Sequence, residues 1–298
     1  MIELRNYKEE YIKDQVRLGF EATRDWVSTG QLPASVIKRI YNSNEDFTPE
    51  TRHYAFKDDE MVGYVISAVD REIDGIKEAS MQFPKMPSKD KEIEKILMEK
   101  TLTVLKEKGA NILWTRVEIN SKTKDQMESF VEEYGFEFEY NNDYRRALID
   151  LDKFDVENFE SDLPIEEYDH KNNPKELEEF LKEINVHDPF VKHFFRTIDN
   201  ERGTIHLVIR KDGKIIAHGT AIIAMKEYDL CIISHVKVKS DSMNKEFDDI
   251  FKSLLKIIKK QNVTVNHLYV PFGIEGTKEL YAKYGIELIE IKHYKKDL

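Results

Sequence analysis

Apolar residues recur along the first half of this chain with two different periods, and each period predicts a different kind of element. From about residue 90 to 108 they recur every three or four positions, as an amphipathic helix requires. From 52 to 69 they form two apolar runs on either side of a short polar turn, which is the signature of a β-hairpin. Residues 1 to 151 therefore predict a mixed α/β domain. The predicted elements are strands at 2–7, 52–57, 61–69, 77–83, 112–119, 136–140 and 145–151, and helices through Val16 and Phe20, through Val36 and Ile40, at 90–108 and at 123–134.

The same order of elements is predicted a second time. The hairpin around Val62 recurs around Ile216, and the helical stripe at 93–97 recurs at 247–251, in both cases 154 residues later. Periods this long indicate duplicated domains rather than the shorter repeats of solenoid proteins. The elements predicted in the second copy are strands at 163–168, 204–210, 214–224, 230–238, 263–270 and 286–293, and helices from Pro174, at 245–260 and at 276–284.

The two copies also end alike. Tyr134, Gly135 and an aromatic residue close a helical pattern in the first copy, and Tyr284 and Gly285 close one in the second, 150 residues later. A polar, acidic segment separates the copies. We therefore expect domains at 1–152 and 163–298, joined by a connector at 153–162.

Composition narrows the function classes. The 298 residues carry a formal net charge of −11, so the chain lacks the basic character that nonspecific nucleic-acid or anionic-lipid binding requires. Cys231 is the only cysteine, which excludes an intrachain disulfide and argues against a thiolate metal site. The sequence begins without the apolar core of a signal peptide, and no run of about 18 apolar residues occurs. We expect a soluble, cytoplasmic protein with no nucleic-acid or membrane partner and leave its oligomeric state open.

The predicted elements resemble the GNAT acetyltransferase superfamily, here in tandem. The sharpest marks are Val62-Gly63-Tyr64 after an acidic turn, and the closing helices that end at Gly135 and Gly285. The resemblance covers nearly the whole chain. It implies two mixed central sheets flanked by helices, with acetyl-CoA lying between the splayed fourth and fifth strands of a domain.

The resemblance also implies a glycine-rich pyrophosphate loop at the start of the helix that follows the fourth strand. Glycines there let backbone amides approach an anion, and the helix dipole adds a favourable potential. Neither copy keeps these glycines: the first has residues 89–94, with Asp90, Glu92 and Glu94 at the glycine positions, and the second has residues 243–248, with Asn244 at the first of them. Because carboxylates repel a pyrophosphate, we expect acetyl-CoA binding mainly in the second copy. The residues expected to bind it are Val236, Val238, Lys239, Met243, Asn244 and Lys245, with Lys237, Lys239 and Lys245 supplying positive charge.

Catalytic candidates also favour the second copy. In the family, a tyrosine of the final helix protonates the departing CoA thiolate; Tyr281 stands at that place in the second copy, and Val131 in the first. His235 on the fourth strand is the candidate general base, with His267 or a water as alternatives. A zinc site is a further alternative, but no His-x-x-x-His pair supports it, and we expect no metal. Glu78 of the first copy matches a carboxylate position of some family members.

Two functions follow as hypotheses. The first is an N-acyltransferase that moves an acetyl group from acetyl-CoA to a small-molecule or peptide amine, with the chemistry in the second domain and the first as a scaffold. The second is a non-catalytic GNAT-fold binding or scaffold protein that has lost acetyl-CoA binding. The acceptor site would be built by residues 20–50 or 170–203. The acidic composition favours a cationic acceptor such as a polyamine, an aminoglycoside or a peptide amine.

Overall fold

The structure is a computed structural model, and its chain folds as two compact units. Unit 1 comprises residues 1–144 and 289–298, and unit 2 comprises residues 145–288. None of the described helices is long and apolar enough to cross a membrane. The residues described are 1–23, 26, 33–43, 47–119, 122–184, 203–225, 230–239, 245–261, 265–269, 282, 285–286 and 288–298.

Unit 1 contains a mixed sheet with helices on both faces. Its strand order is β1-β2-β3-β4-β5-β12, and of these neighbours only β4 and β5 are parallel. The elements are β1 (Ile2–Asn6), α1 (Ile12–Ala22), α2 (Ala34–Ser43), β2 (Arg52–Lys57), β3 (Glu60–Ile73), β4 (Ile76–Met81), α3 (Lys91–Glu107), β5 (Ile112–Ile119), α4 (Lys124–Glu133), the first part of β6 (Glu137–Asp150), and β12 (Leu288–Asp297).

Unit 2 repeats this arrangement. The end of β6 begins a sheet with the order β6-β11-β10-β9-β8-β7, in which only β10 and β11 are parallel. The further elements are β7 (Ile165–Glu167), α5 (Pro174–Glu183), β8 (Gly203–Lys211), β9 (Lys214–Met225), β10 (Leu230–Val238), α6 (Lys245–Lys259) and β11 (Val265–Tyr269).

The C-terminal strand does not stay with the second half of the chain. β12 pairs antiparallel with β5 in unit 1, and residues 146–150 of β6 pair antiparallel with β11 in unit 2. The structure has one strand, β6, where the sequence predicts two strands at 136–140 and 145–151. The predicted domains 1–152 and 163–298 are each continuous in sequence, whereas unit 1 also includes residues 289–298 from the end of the chain. Periodicity shows that a strand exists but not which distant strand it pairs with.

The β2–β3 and β8–β9 hairpins confirm the predicted duplication in detail. Each turns through two residues with positive φ, Asp58 and Asp59 in unit 1 and Asp212 and Gly213 in unit 2. Such turns match the right-handed twist of the strands they join. Each hairpin also has a register shift at the same place, with two residue pairs between the shift and the turn.

Each sheet is covered on both faces. In unit 1, Leu97 of α3 packs on Ala55 on one face, while α1 covers Tyr54 and Tyr64 on the other. In unit 2, residues of α6 pack on one face of the sheet, in a cluster that includes Ala217 and Ala221. Helix α5 covers the opposite face, where the buried cluster contains Leu177, Phe180, Leu181, Val208, Ile215 and Ile222. Burial of these apolar faces is the main stabilising contribution in each unit.

The acidic connector is packed on α6. Phe154 and Val156 are buried in the core of unit 2, and Lys256 Nζ donates to the Phe159 carbonyl at 2.7 Å. Lys259 adds an ion pair to Glu157 at 3.2 Å. The connector is polar in overall composition, but two of its residues are part of the core. The connector therefore belongs to unit 2.

Candidate functional site

The candidate site lies where the two parallel strands of each unit stop pairing. In unit 1 the β4–β5 register ends at Met81 and Thr115, and the chain beyond Met81 follows β3, because Gln82 N donates to the Ile66 carbonyl at 2.9 Å. In unit 2 the β10–β11 register ends at Ile233 and Leu268. The rest of β10 pairs, among the described strands, only with β9.

A one-residue bulge follows the end of the parallel pairing in both units. Four steps from Met81 to Lys85 lie opposite three steps from Ser67 to Tyr64, where Tyr64 and Lys85 form a bridge. In unit 2, four steps from Ile233 to Lys237 lie opposite three steps on β9, from Ala221 to His218. Bulges re-aim side chains and are common beside active sites. Lys85 and Lys237 thus occupy equivalent positions.

The Lys85 side chain of unit 1 is enclosed by polar partners. It is 4% exposed, and its Nζ lies 2.5 Å from Gln82 Oε1 and 5.7 Å from the centre of the Tyr64 ring. Burial lowers the pKa of Lys85 to about 8, and the nearby Glu118 carboxylate opposes that shift. Desolvation penalises the charged form of a lysine.

The Lys237 side chain of unit 2 is half-buried and has a different environment. Burial alone lowers the pKa of Lys237 to about 8. The sequence predicts Lys237 to be a cation beside a phosphate loop. In the structure its register partner is His218, which places Lys237 on the face that α5 covers. The signal was present in the alternation of Val236, Lys237 and Val238, which predicts that the lysine points away from its apolar neighbours.

The other predicted binding residues at the end of β10 make contacts within unit 2. Val236 and Val238 are buried in the core that contains the α6 residues, which leaves only their main chain for a ligand. Lys239 N donates to the Ile216 carbonyl at 3.0 Å, and Lys239 Nζ lies 2.5 Å from Glu183 Oε2. The Lys239 ammonium lowers the pKa of Glu183.

His235 lies opposite Thr220 on β9, directly after the register shift of β10. Tyr281, Met243 and Asn244 lie outside the described residues.

The helix that follows β10 begins at the predicted Lys245. Its Nζ lies 2.8 Å from Asp162 Oδ2, and this exposed pair lowers the pKa of Asp162. Nearby, Ser161 Oγ donates to Asp249 Oδ2 at 2.7 Å. The first turn of α6 is thus in contact with the end of the connector.

At the start of α3, the equivalent helix of unit 1, several carboxylates lie close together. Asp90 is the N-cap of α3, and its side chain accepts from Glu92 N at 2.9 Å. Lys91 Nζ lies 2.7 Å from Glu94 and 2.8 Å from Glu133. Glu94 is only 3% exposed. A cap of this kind satisfies orphan amides that an anion would otherwise bind.

A cavity of about 270 Å³ lies beside this helix start in unit 1. Lys89, which borders it, has a positive φ of 51°, an uncommon conformation for a residue with a side chain. The lining residues are Glu21, Ala22, Trp26, Pro87, Lys89, Thr123 and Gln126.

Two further sequence candidates are engaged elsewhere. Glu78 lies 2.7 Å from Arg71 across the β3–β4 pair, and this bond lowers its pKa. In unit 2 the buried His206 lies 5.4 Å from His218 and 5.8 Å from His170 between ring centres. Within the described ranges, no group of three or more His, Cys, Asp or Glu residues could hold a metal ion. His293, counted with the second copy in the sequence, lies in unit 1.

Comparison with known proteins identifies the fold. The chain is similar to a tandem GNAT protein from the clavulanic acid biosynthesis pathway, with a TM-score of 0.62 and 11% identity over 100% of this chain and 98% of that one. It is also similar to a GCN5-related N-acetyltransferase from Sphaerobacter thermophilus, with a TM-score of 0.56 and 12% identity over 99% and 95% of the two chains. A protein of unknown function from Bacteroides thetaiotaomicron gives a TM-score of 0.54 and 13% identity over 99% of both chains. No protein-family model and no curated protein sequence matches the chain. The expected tandem GNAT fold is confirmed.

Proposed function

We propose that this protein is an N-acyltransferase that moves an acetyl group from acetyl-CoA to an amine, with the chemistry in unit 2. The observation that carries the proposal is the end of the β10–β11 parallel pairing at Ile233 and Leu268, within a fold shared with GNAT proteins. Beyond that point β10 runs on with one edge unpaired among the described strands. Unpaired main-chain groups at such an edge are available to an extended ligand.

The proposed roles follow the sequence candidates. The main chain at Val236 and Val238 and the residues Lys239, Met243, Asn244 and Lys245 bind the cofactor. Tyr281 protonates the departing CoA thiolate, and His235 or a water receives the proton of the acceptor. Rate comes chiefly from positioning the amine against the thioester carbonyl and from polarising that carbonyl.

We propose a small-molecule or peptide amine as the acceptor. A formal net charge of −11 favours a cationic substrate by raising its local concentration. Cys231 is the only cysteine in the sequence and is buried, and a chain with one cysteine cannot form an intrachain disulfide, which supports our proposal of a cytoplasmic location.

Calorimetric titration of acetyl-CoA into the full chain tests this function. We expect one binding site per chain. Lys245→Gln should weaken binding by about fivefold because it removes a charge-assisted contact, and the matched variant Lys91→Gln in unit 1 should leave binding unchanged. Tyr281→Phe should bind normally and lower turnover by about 100-fold, the usual scale for a proton donor. If no heat of binding is measured at millimolar acetyl-CoA, the proposal is wrong.

The alternative is a GNAT-fold binding or scaffold protein without acetyl transfer. The carboxylates at both helix starts favour it: Asp90 and Glu94 at α3, and Asp162 against Lys245 at α6. A folded chain that neither binds acetyl-CoA nor acetylates any amine tested would support this alternative over the enzyme.

A further inference from the structure

Lys237 lies just beyond the end of the parallel strand pair in unit 2, in the part of β10 that is still paired with β9. It pairs with His218 of β9, whose ring lies 5.7 Å from Phe180 of α5. Directly paired residues of antiparallel strands share a face, so Lys237 is on the α5 side of the sheet. Its neighbours Val236 and Val238 are buried on the opposite face. The strand is thus anchored on both sides of the lysine.

Few charged groups face the Lys237 ammonium. From β9 it is faced by His218, and on β8 His206 lies next to that histidine at 5.4 Å between ring centres. On α5, Glu183 is engaged by Lys239 at 2.5 Å. In the part of the chain that the structure describes, no carboxylate lies within ion-pair distance of Lys237, and burial is the only cause of its lowered pKa. Its amine is therefore not held by a permanent counter-charge there.

The equivalent lysine of unit 1 shows what a purely structural role looks like. Lys85 is almost fully buried, hydrogen-bonded to Gln82 and opposed by the Glu118 charge. Burying a lysine costs free energy unless partners compensate it. Unit 1 supplies those partners and unit 2, among its described residues, does not. Within the described part of the chain, local packing thus accounts for Lys85 but not for Lys237.

We propose that Lys237, in place of the sequence candidate His235, is the general base of the acyl transfer, an inference that rests on the proposed function. The acceptor enters as an ammonium, and one of its protons passes to the neutral Nζ of Lys237 and then to solvent. The freed nitrogen attacks the thioester carbonyl, the C–N bond forms and the C–S bond breaks. The nitrogen loses its second proton as the amide forms, and the departing thiolate takes one up through Tyr281 or water.

The titration behaviour of Lys237 agrees with this role. A general base works best when its pKa lies near the working pH, and the pKa of Lys237 is lowered to about 8. At pH 7 roughly a tenth of such a lysine is neutral, against less than about a thousandth of a surface lysine.

The test compares Lys237→Gln and Lys237→Arg with the matched variant Lys85→Gln. The rate of thiol release from acetyl-CoA is followed between pH 6 and 9.5 with spermidine, an aminoglycoside and a lysine-containing peptide as acceptors. Wild-type kcat/KM should rise tenfold per pH unit up to about pH 8 and then level. Both Lys237 variants should lose about 100-fold or more together with the inflection, because arginine keeps the charge but cannot release the proton. Lys85→Gln should keep rate and profile.

A second readout does not depend on turnover. An NMR titration of ¹⁵N-lysine side chains should show two amines with inflections near pH 8, one removed by each glutamine variant. If Lys237 titrates there but no amine is acetylated, the proposed function fails and the base role fails with it. If turnover is present and Lys237→Arg keeps the inflection, or His235→Gln alone removes it, the base role is overturned while the proposed function stands.

Discussion

Lys85 and Lys237 occupy equivalent places in two copies of one fold, but among the described residues polar partners enclose only Lys85. Gln82 and the Glu118 charge compensate Lys85 in unit 1, whereas burial alone sets the pKa of Lys237 in unit 2. The backbone that presents the two lysines is the same, down to the single extra residue in the strand. Duplication has therefore kept the geometry of the site in both units and changed its electrostatics in one. This difference is a physical reason for our proposal that the chemistry lies in unit 2.

The starts of α3 and α6 differ in the same direction. At α3, Lys91 is held between Glu94 and Glu133, and Asp90 caps the helix. At α6, Lys245 lies 2.8 Å from Asp162, whose side chain is largely exposed. A buried carboxylate cannot be displaced as readily as an exposed one, because exposed ion pairs contribute little. We therefore expect an anion to bind less readily at the start of α3 than at the start of α6.

Exchanging residues between the two hairpins should produce the largest effect on stability. Gly219 pairs with Leu207 as Val65 pairs with His53, so Gly219→Val places the residue of unit 1 into unit 2. A Cβ at Gly219 would lie 2.3 Å from Ile250 Cγ2 and 2.8 Å from Leu254 Cδ1. We expect the free energy of unfolding, measured by urea denaturation, to fall by about 3 kcal/mol, because α6 must move away from the sheet.

The control places a residue of unit 2 into the hairpin of unit 1. Gly63→Ala introduces the residue found at the equivalent Ala217, and its Cβ would lie 2.8 Å from Met86 Cγ. Because the methionine side chain is flexible, the loss should be about 1 kcal/mol. Equal losses for the two variants would show that the helices approach their sheets equally closely, and the comparison would be wrong.

Acidification should destabilise unit 2 through its buried histidines. Burial, with a further contribution from His170, lowers the pKa of His206 to about 3. Below its unfolded pKa of about 6.5 the unfolded chain binds the proton and the folded chain does not. The stability associated with neutral His206 is therefore complete above about pH 6.5 and is lost as the pH falls below it.

Between pH 7 and pH 5 this single group should cost about 2 kcal/mol, so His206→Gln should show a correspondingly weaker pH dependence of unfolding by circular dichroism. Trp26 and Trp114 both lie in unit 1, so tryptophan fluorescence follows that unit alone. His53→Gln, at a buried histidine of unit 1 whose pKa burial lowers to about 4, provides the matched variant. An unchanged pH dependence in His206→Gln would contradict the effect ascribed to its burial.

Local pattern was enough to predict most elements but not their long-range pairing. The helix predicted at 90–108 is α3, and the strand predicted at 112–119 is β5. The exchange of β12 into unit 1 could not be predicted, because pairing between residues 112–119 and 290–297 leaves no periodic signal. The role of Lys237 was missed for a related reason. Its equivalence to Lys85 follows from the bulge and the register with β9, and neither is written in the residue types.

The smallest expected effect concerns the exposed contact at the start of α6. Asp162→Asn removes the carboxylate that lies 2.8 Å from Lys245 Nζ. Lys245 then does not have to give up its ion pair with Asp162 in order to contact acetyl-CoA. We expect the Kd for acetyl-CoA to fall by less than about fivefold, and the gain to shrink as salt is added, because exposed pairs are weak and screened. The matched change in unit 1, Glu133→Gln beside Lys91, should leave the Kd unchanged. A tighter Kd in Glu133→Gln but not in Asp162→Asn would place the anion site in unit 1 and reverse the assignment of the two units.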